Sequence, residues 1–186
     1  MDEASLVKRL QLQDEAAYKE LVATYQQMVL NTCYGFLHNY EEAEDIAQEV
    51  FIQVFKAIGS FREEARLSTW LYRIAVNKSL NKIRSRKSKF LLGLDILFEQ
   101  GQSNRPVAEA TPFDVLANRE RAAVLHAAID KLPANQKTAF VLSKYQGLAN
   151  KKIAGVMGLT LSSVEALLNR AKKNLQKQLV GYYKNS

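Results

Sequence analysis

Residues 61–89, FREEARLSTWLYRIAVNKSLNKIRSRKSK, decide how this chain is read. The stretch opens as a polar loop, passes through the only tryptophan, Trp70, and continues as a helix with a dense basic tail. No acid falls between Glu64 and Asp95, whereas Arg66, Arg73, Lys78, Lys82, Arg84, Arg86, Lys87 and Lys89 do. A basic run alone fits a solvated helix face as well as a phosphate-binding surface. Helical geometry separates the two. At about 100° per residue, Arg73, Asn77, Asn81 and Arg84 share one narrow strip with Trp70, while Leu71, Tyr72, Ala75, Val76, Ser79 and Ile83 fill most of the circumference. A mostly buried helix is thus expected to present a strip of guanidinium forks, carboxamides that can bond base edges, and one large aromatic. That set suits DNA, and single-stranded DNA in particular. Trp70 taken alone would read as a core residue.

Composition supports a folded, basic protein. The 186 residues suffice for one ordinary domain or two small ones, 47% are hydrophobic, and the formal charge is +7. The charge is unevenly spread: residues 41–64 are acidic, and the stretch after Glu64 and the C-terminal third are basic, so two kinds of partner are expected. Cys33 has no second cysteine to pair with and reads as a buried small hydrophobe, in keeping with a reducing compartment. His38 and His126 lie far apart in sequence and lack cysteine partners, which argues against zinc; no metal or other cofactor is expected. The N-terminus lacks a signal-peptide core, and the longest apolar run, Phe90 to Phe98, is too short for a bilayer and contains Asp95. These features predict a soluble, cytoplasmic protein with no membrane insertion.

Upstream of the central stretch, residues 3–38 read as two scaffold helices with Asp14 as a cap between them. From Glu41 to Ile58 an apolar stripe of Ala43, Ile46, Ala47, Val50, Phe51, Val54, Phe55 and Ile58 backs a face of Glu41, Glu44, Asp45, Gln48 and Glu49. Ile52 stands inside that acidic face. An acidic face is ordinarily just solvated and suits a helix N-terminus, but an isoleucine centred in it points to a docking surface for a partner with a basic rim and an apolar pocket.

Downstream, Gly93, Gly101, Pro106 and Pro112 break the periodicity, so residues 90–118 read as a linker with one short helix over Leu91–Phe98. The remainder is helical in three segments. Arg119–Ile129 is the first; Pro133 opens the second, which Gly147 ends. The third is a pair in which Asn150 caps a short helix, Gly158 turns the chain and a long helix starts at Ser162, a helix-turn-helix pattern. In the long helix Val164, Leu167, Leu168, Ala171, Leu175 and Leu179 form the buried stripe. Ser162, Ala166, Asn169 and Lys173 lie opposite, flanked by Ser163, Glu165, Arg170 and Lys177. Glu165 is the only acid after Asp130, and its spacing from Ser162 reads as a capping box in preference to a cytosine contact. The expected fold is therefore all-α: two small helical domains, 1–89 and 119–186, joined by a flexible linker, the second a helix-turn-helix.

The order of these pieces resembles the extracytoplasmic-function group of the bacterial sigma-70 family. The resemblance rests on NYEEAEDIAQEVFIQVFKAI, FREEARLSTWLYRIAVNKSLNKIR and LPANQKTAFVLSKYQGLANKKIAGVMGLTLSSVEALLNRAKKNL, and covers about residues 15–88 and 119–179. It implies an RNA polymerase sigma factor, with no catalysis of its own, that directs promoter recognition and transcription initiation. Its implied partners are core RNA polymerase and promoter DNA, with any anti-sigma factor a separate protein. It further implies that Asp45, Gln48, Glu49 and Ile52 dock on the polymerase clamp helices, and that the loop Phe61–Thr69, including Arg62 and Ser68, captures a base flipped from the -10 element. The helix from Trp70, with Arg73, Asn77, Asn81 and Arg84, would contact the opening strands, Asn77 near the captured base. Ser162, Ser163, Ala166, Asn169, Arg170 and Lys173 would face the duplex -35 element. The sequence departs from the family at Asn150, Lys151, Lys152, Gly155, Glu165 and Leu167, which leaves the -35 sequence open.

Three rival readings explain less. A stand-alone helix-turn-helix regulator accounts for the C-terminal unit but leaves the acidic face with Ile52 and the tryptophan strip without a role. An enzyme acting on nucleic acid would need a Cys/His cluster, a P-loop or converging carboxylates, and none is present. A helical adaptor would not need two basic surfaces.

Overall fold

The computed structural model describes residues 3–62, 64–91 and 112–184, and these form eight α-helices, one 3-10 turn and no strand. Helix α1 (Glu3–Gln11) buries Leu6, Val7 and Leu10. The chain reverses through Gln13, a left-handed residue at φ 60°, into Asp14. The Asp14 carboxylate accepts from the Ala16 and Ala17 amides, capping α2 (Glu15–Leu37). His38, left-handed at φ 54°, closes α2, and Asn39 caps α3 (Tyr40–Ala57) by accepting from the Glu42 amide at 3.0 Å. After the 3-10 turn Ile58–Ser60, α4 (Leu67–Leu91) packs against α2 and α3. The core of this half is Leu21, Val29, Phe36, Val50, Val54, Leu67 and Leu71, all buried together with Cys33, whose thiol burial pushes up to about 11.

The second half comprises α5 (Pro112–Asp130), α6 (Ala134–Lys144), α7 (Asn150–Met157) and α8 (Leu161–Lys184). Its own small core joins Ala128, Ile129 and Leu132 to Ala171 and Leu175 of α8. The two halves do not stand apart. Val141 and Leu142 of α6 and Ile153, Ala154 and Val156 of α7 belong to the same apolar cluster as α2 and α4. Gly35 makes the approach possible: a Cβ at this position would lie 2.7 Å from Val141 Cγ1 and 3.1 Å from Tyr145 Cγ. Beside it Lys137, only 3% exposed, donates to the Phe36 carbonyl at 2.9 Å and pairs with Asp130 at 2.6 Å. His38 and His126, 88 positions apart in the chain by subtraction of their numbers, stack with centroids 4.0 Å apart.

Four expectations change. The segment read as linker is helical at both ends, since α4 runs on to Leu91 and α5 starts at Pro112. A proline at the first position of a helix loses no bond, so Pro112 opens a helix instead of breaking one. The short helix expected over Leu91–Phe98 lies, past its first residue, outside the described residues. Asn150 is the first helical residue of α7 and not its cap; Ala149 holds that position, its carbonyl accepting from Lys152 and Ile153. Ser162 and Glu165 do not form a capping box. Thr160 Oγ1 accepts from the Ser163 amide at 3.2 Å, so the helix starts one residue earlier and Glu165 sits a full turn inside it, exposed. Finally, Phe55, assigned to the buried stripe of α3, is 45% exposed and meets Tyr18 edge-on at 5.3 Å.

Candidate nucleic-acid interface

The strip on α4 is built as its periodicity requires. Leu71, Tyr72, Ala75, Val76 and Ser79 are buried, and Arg73, Asn77, Asn81 and Arg84 are exposed. Arg84 donates to the Asn81 side chain at 3.2 Å, which orients that carboxamide. Between this strip and α3 runs a groove of about 630 Å³, lined by Ile46 and Glu49 on one side and Asn77, Asn81, Lys82 and Arg84 on the other. Lys78 spans it to Glu49 at 2.9 Å, and Arg86 pairs with Glu42. These two pairs tie α4 to the acidic helix and leave the carboxamides facing the opening.

At the N-terminal end of the strip Trp70 and Phe61 face each other, ring centroids 5.0 Å apart and tilted by 37°. Ser68, Thr69 and Trp70 are half-buried, and Arg62 is exposed. Two contacts from α1 frame this corner. Gln11 Nε2 donates to the Phe61 carbonyl at 3.2 Å, and the Leu67 amide donates to Glu3 Oε1 at 2.8 Å.

One strip residue is already engaged. Arg73 donates from Nη2 to the Gly155 carbonyl at 2.7 Å and from Nε to the Val156 carbonyl at 3.2 Å. Those carbonyls lie in the last turn of α7, where unpaired oxygens and the negative end of the helix dipole favour a cation.

On the adjoining helix α3, Glu41, Glu44, Asp45, Gln48 and Glu49 are exposed as expected. Ile52 is 52% exposed, and Phe55 lies one turn further on. The apolar element in the acidic face is therefore larger than a single isoleucine.

In the C-terminal half Gly158 adopts the left-handed conformation at φ 66°, its amide bonding the Ala154 carbonyl, and sets the angle between α7 and α8. Ser162, Ser163, Ala166, Asn169, Arg170 and Lys173 are all exposed on α8. Two of them are tied locally: the Ser162 and Ser163 hydroxyls lie 3.1 and 2.8 Å from Thr160 Oγ1. The structure thus brings the -10 candidates Phe61, Trp70, Asn77, Asn81 and Arg84 onto one surface of α4 and the preceding turn, and the -35 candidates onto a separate helix. The residues missed were Glu3, Gln11, Thr160 and Lys137. Thr160 had a readable signal, as a threonine three positions before a helical serine; the others act across 50 or more positions.

Among the described residues there is no group of three or more metal-ligating side chains, and no helix is long and apolar enough to cross a membrane.

Comparison with known proteins matches the two parts of the chain to two family models. Residues 21–89 match the family model described as Sigma-70 region 2, and residues 122–175 match the one described as Sigma-70, region 4. The chain is 34% identical over 178 residues to the RNA polymerase sigma-H factor of Pseudomonas aeruginosa, covering 94% of this chain and 92% of that one. It is 32% identical over 176 residues to the ECF RNA polymerase sigma factor SigW of Bacillus subtilis, covering 93% and 94%. The solved structure of CnrH in complex with the cytosolic domain of CnrY superposes with a TM-score of 0.68 at 21% identity, covering 96% of this chain and 97% of that one, and so has the same fold. With both regions present in order and full-length relatives above 30% identity, the chain belongs to the extracytoplasmic-function group of the sigma-70 family of RNA polymerase sigma factors.

Proposed function

We propose that this sigma factor divides its work among three surfaces, on two domains set at 1–89 and 119–186 with 90–118 between them. Asp45, Gln48, Glu49 and Ile52 dock on core RNA polymerase. Phe61, Arg62, Ser68, Thr69, Trp70, Arg73, Asn77, Asn81 and Arg84 receive the melted -10 strand. Ser162, Ser163, Ala166, Asn169, Arg170 and Lys173 read or grip the -35 duplex. The observation that carries this is the exposed carboxamide and arginine strip of α4, joined to the Phe61–Trp70 pair and lying along a groove whose other wall is the acidic helix. One rigid unit can then hold polymerase on one side and an unpaired strand on the other.

The physics of the -10 step is an exchange. Unstacking a base costs a few kcal/mol, and stacking on an aromatic face returns about 1–3 kcal/mol per base, with carboxamide bonds to the base edge adding discrimination. No step requires covalent chemistry, so the protein has no catalysis of its own and acts where RNA polymerase does, in the cytoplasm. The solved structures of CnrH with the cytosolic domain of CnrY and of RpoE with the anti-sigma factor NepR support control of this chain by a separate anti-sigma protein.

The test is multiple-round transcription with bacterial core polymerase on a fragmented genomic library, with and without the protein. Transcripts that start at defined sites only on its addition are expected, and their upstream sequences supply both promoter elements. Absence of both initiation and core binding would return the reading to a stand-alone DNA-binding regulator.

A further inference from the structure

Helix α4 begins without a cap of its own. Arg66 holds the N-cap position, since its carbonyl accepts from the Thr69 and Trp70 amides, but an arginine side chain has only donors and cannot satisfy a helix-start N–H. The missing acceptor comes from 64 positions earlier: Glu3 Oε1 takes the Leu67 amide at 2.8 Å. A carboxylate there also meets the positive end of the α4 dipole. At the other end of α1, Gln11 Nε2 lies 3.2 Å from the Phe61 carbonyl and 3.5 Å from that of Ile58. Eight residues of helix separate the two side chains, about 12 Å at 1.5 Å per residue. Between these two bonds lies the turn that sets Phe61 against Trp70.

We propose that α1 is a positioning element for strand capture: Glu3 and Gln11 pin the start of α4 and the end of the 3-10 turn, and so hold Phe61 and Trp70 in the arrangement that receives an unstacked base. This rests on the reading of the Phe61–Trp70 corner as the place where the melted strand lands. The anchoring of α1 is separate from its grip. Leu6, Val7 and Leu10 are buried in the core, whereas the hydrogen bonds of Glu3 and Gln11 among the described residues go to backbone groups at the two ends of the turn, with Tyr25 also within electrostatic reach of Glu3. Removing the two polar side chains therefore loosens the turn without removing the helix. An aromatic pair preset at 5.0 Å spends less ordering free energy on capture than one that must assemble around the base.

The test uses the full chain and its single tryptophan. Acrylamide quenching of Trp70 fluorescence is measured for wild type, Glu3→Ala, Gln11→Ala, the double variant and Glu3→Gln. Affinities follow for a single-stranded -10 oligonucleotide and a duplex -35 oligonucleotide taken from a promoter mapped by transcription. The double variant is expected to expose Trp70 to the quencher and to lose about tenfold in single-strand affinity, with duplex affinity and melting temperature little changed. Glu3→Gln, which keeps an acceptor oxygen, should retain most of the wild-type behaviour. Unchanged quenching in the double variant overturns the proposal, as does a parallel loss for both DNAs that tracks the melting temperature. Should wild type fail to bind the single strand while quenching still rises in the double variant, the strand-capture reading falls and the hold of α1 on the turn stands.

Discussion

Asn77 and Arg73 are neighbours on one strip of α4, yet the structure gives them different circumstances. Asn77 is exposed at the groove, free to meet a base edge, whereas Nε and Nη2 of Arg73 are committed to α7 carbonyls. Asn77→Ala should therefore weaken binding of the single-stranded -10 oligonucleotide by roughly five- to tenfold, the value of one or two hydrogen bonds, and leave -35 duplex binding alone. Equal losses on both DNAs would refute the division of labour. Lys173, exposed on α8 with its charge toward solvent, is expected to grip phosphate. Lys173→Ala should lower affinity evenly across duplex sequences and reduce the salt slope by about one unit. A changed sequence preference at constant slope would make it a base reader. Residue exposure on α4 was legible from the sequence because it follows from period alone. The engagement of Arg73 was not, since nothing in its surroundings announces a partner 82 positions away.

At the scale of elements, the helices were readable because each apolar stripe is long and regular, and the errors collect at their ends. Capping depends on which hydroxyl reaches which amide, and at the start of α8 Thr160 and Ser162 both carry suitable groups. The geometry selects Thr160, so Thr160→Ala should cost about 1 kcal/mol of stability, whereas Ser162→Ala should cost little. Thermal unfolding of the two variants decides this, and a larger loss at Ser162 would restore the capping box. The α3 face makes a second prediction. Its acids surround Ile52 at 52% exposure, with Phe55 one turn beyond. A charge reversal combined with loss of the apolar knob, Asp45→Arg with Ile52→Asp, should abolish binding to core polymerase and leave the circular dichroism spectrum unchanged, because neither side chain is buried. Retained affinity would remove the docking assignment from this face.

On the scale of the whole molecule, the two halves share a core and α7 lies against α4, whereas the proposed -10 and -35 elements differ by about 25 base pairs in their numbering, ~85 Å at about 3.4 Å per pair. On the proposed division of labour, holding both on one duplex requires the halves to separate, which frees Arg73 for the strip it belongs to. The docked contact is specific: Gly35 admits Val141 and Tyr145, Lys137 is buried against Phe36 and Asp130, and His38 stacks on His126. A methyl at Gly35 must displace a stiff β-branched valine and the base of a tyrosine ring, while inside α2 alanine is the better helix former by about 1 kcal/mol. Gly35→Ala should then undock the halves without harming the first one. Protonation acts on the same contact. Burial, with the nearby His38, pushes His126 down to about 4. Asp130 is held down to about 2: burial opposes its charge, but His38 and Lys137 outweigh that, so it stays ionised through the window that matters. The remaining groups at the stack are Tyr34 and Tyr145, with Arg86 and Lys87 acting on Lys137. Because the docked value for His126 lies below its ordinary value of 6.5, its contribution to docking is fully present above pH 6.5 and is lost as pH falls from there toward 4. Small-angle scattering should show a wild-type radius of gyration that is compact at pH 7.5 and expands between pH 6.5 and 5, and a Gly35→Ala protein already expanded at pH 7.5. A compact Gly35→Ala protein at neutral pH would show that the glycine notch does not control docking, and a wild-type radius constant down to pH 5 would remove the histidine stack from the contact's energetics.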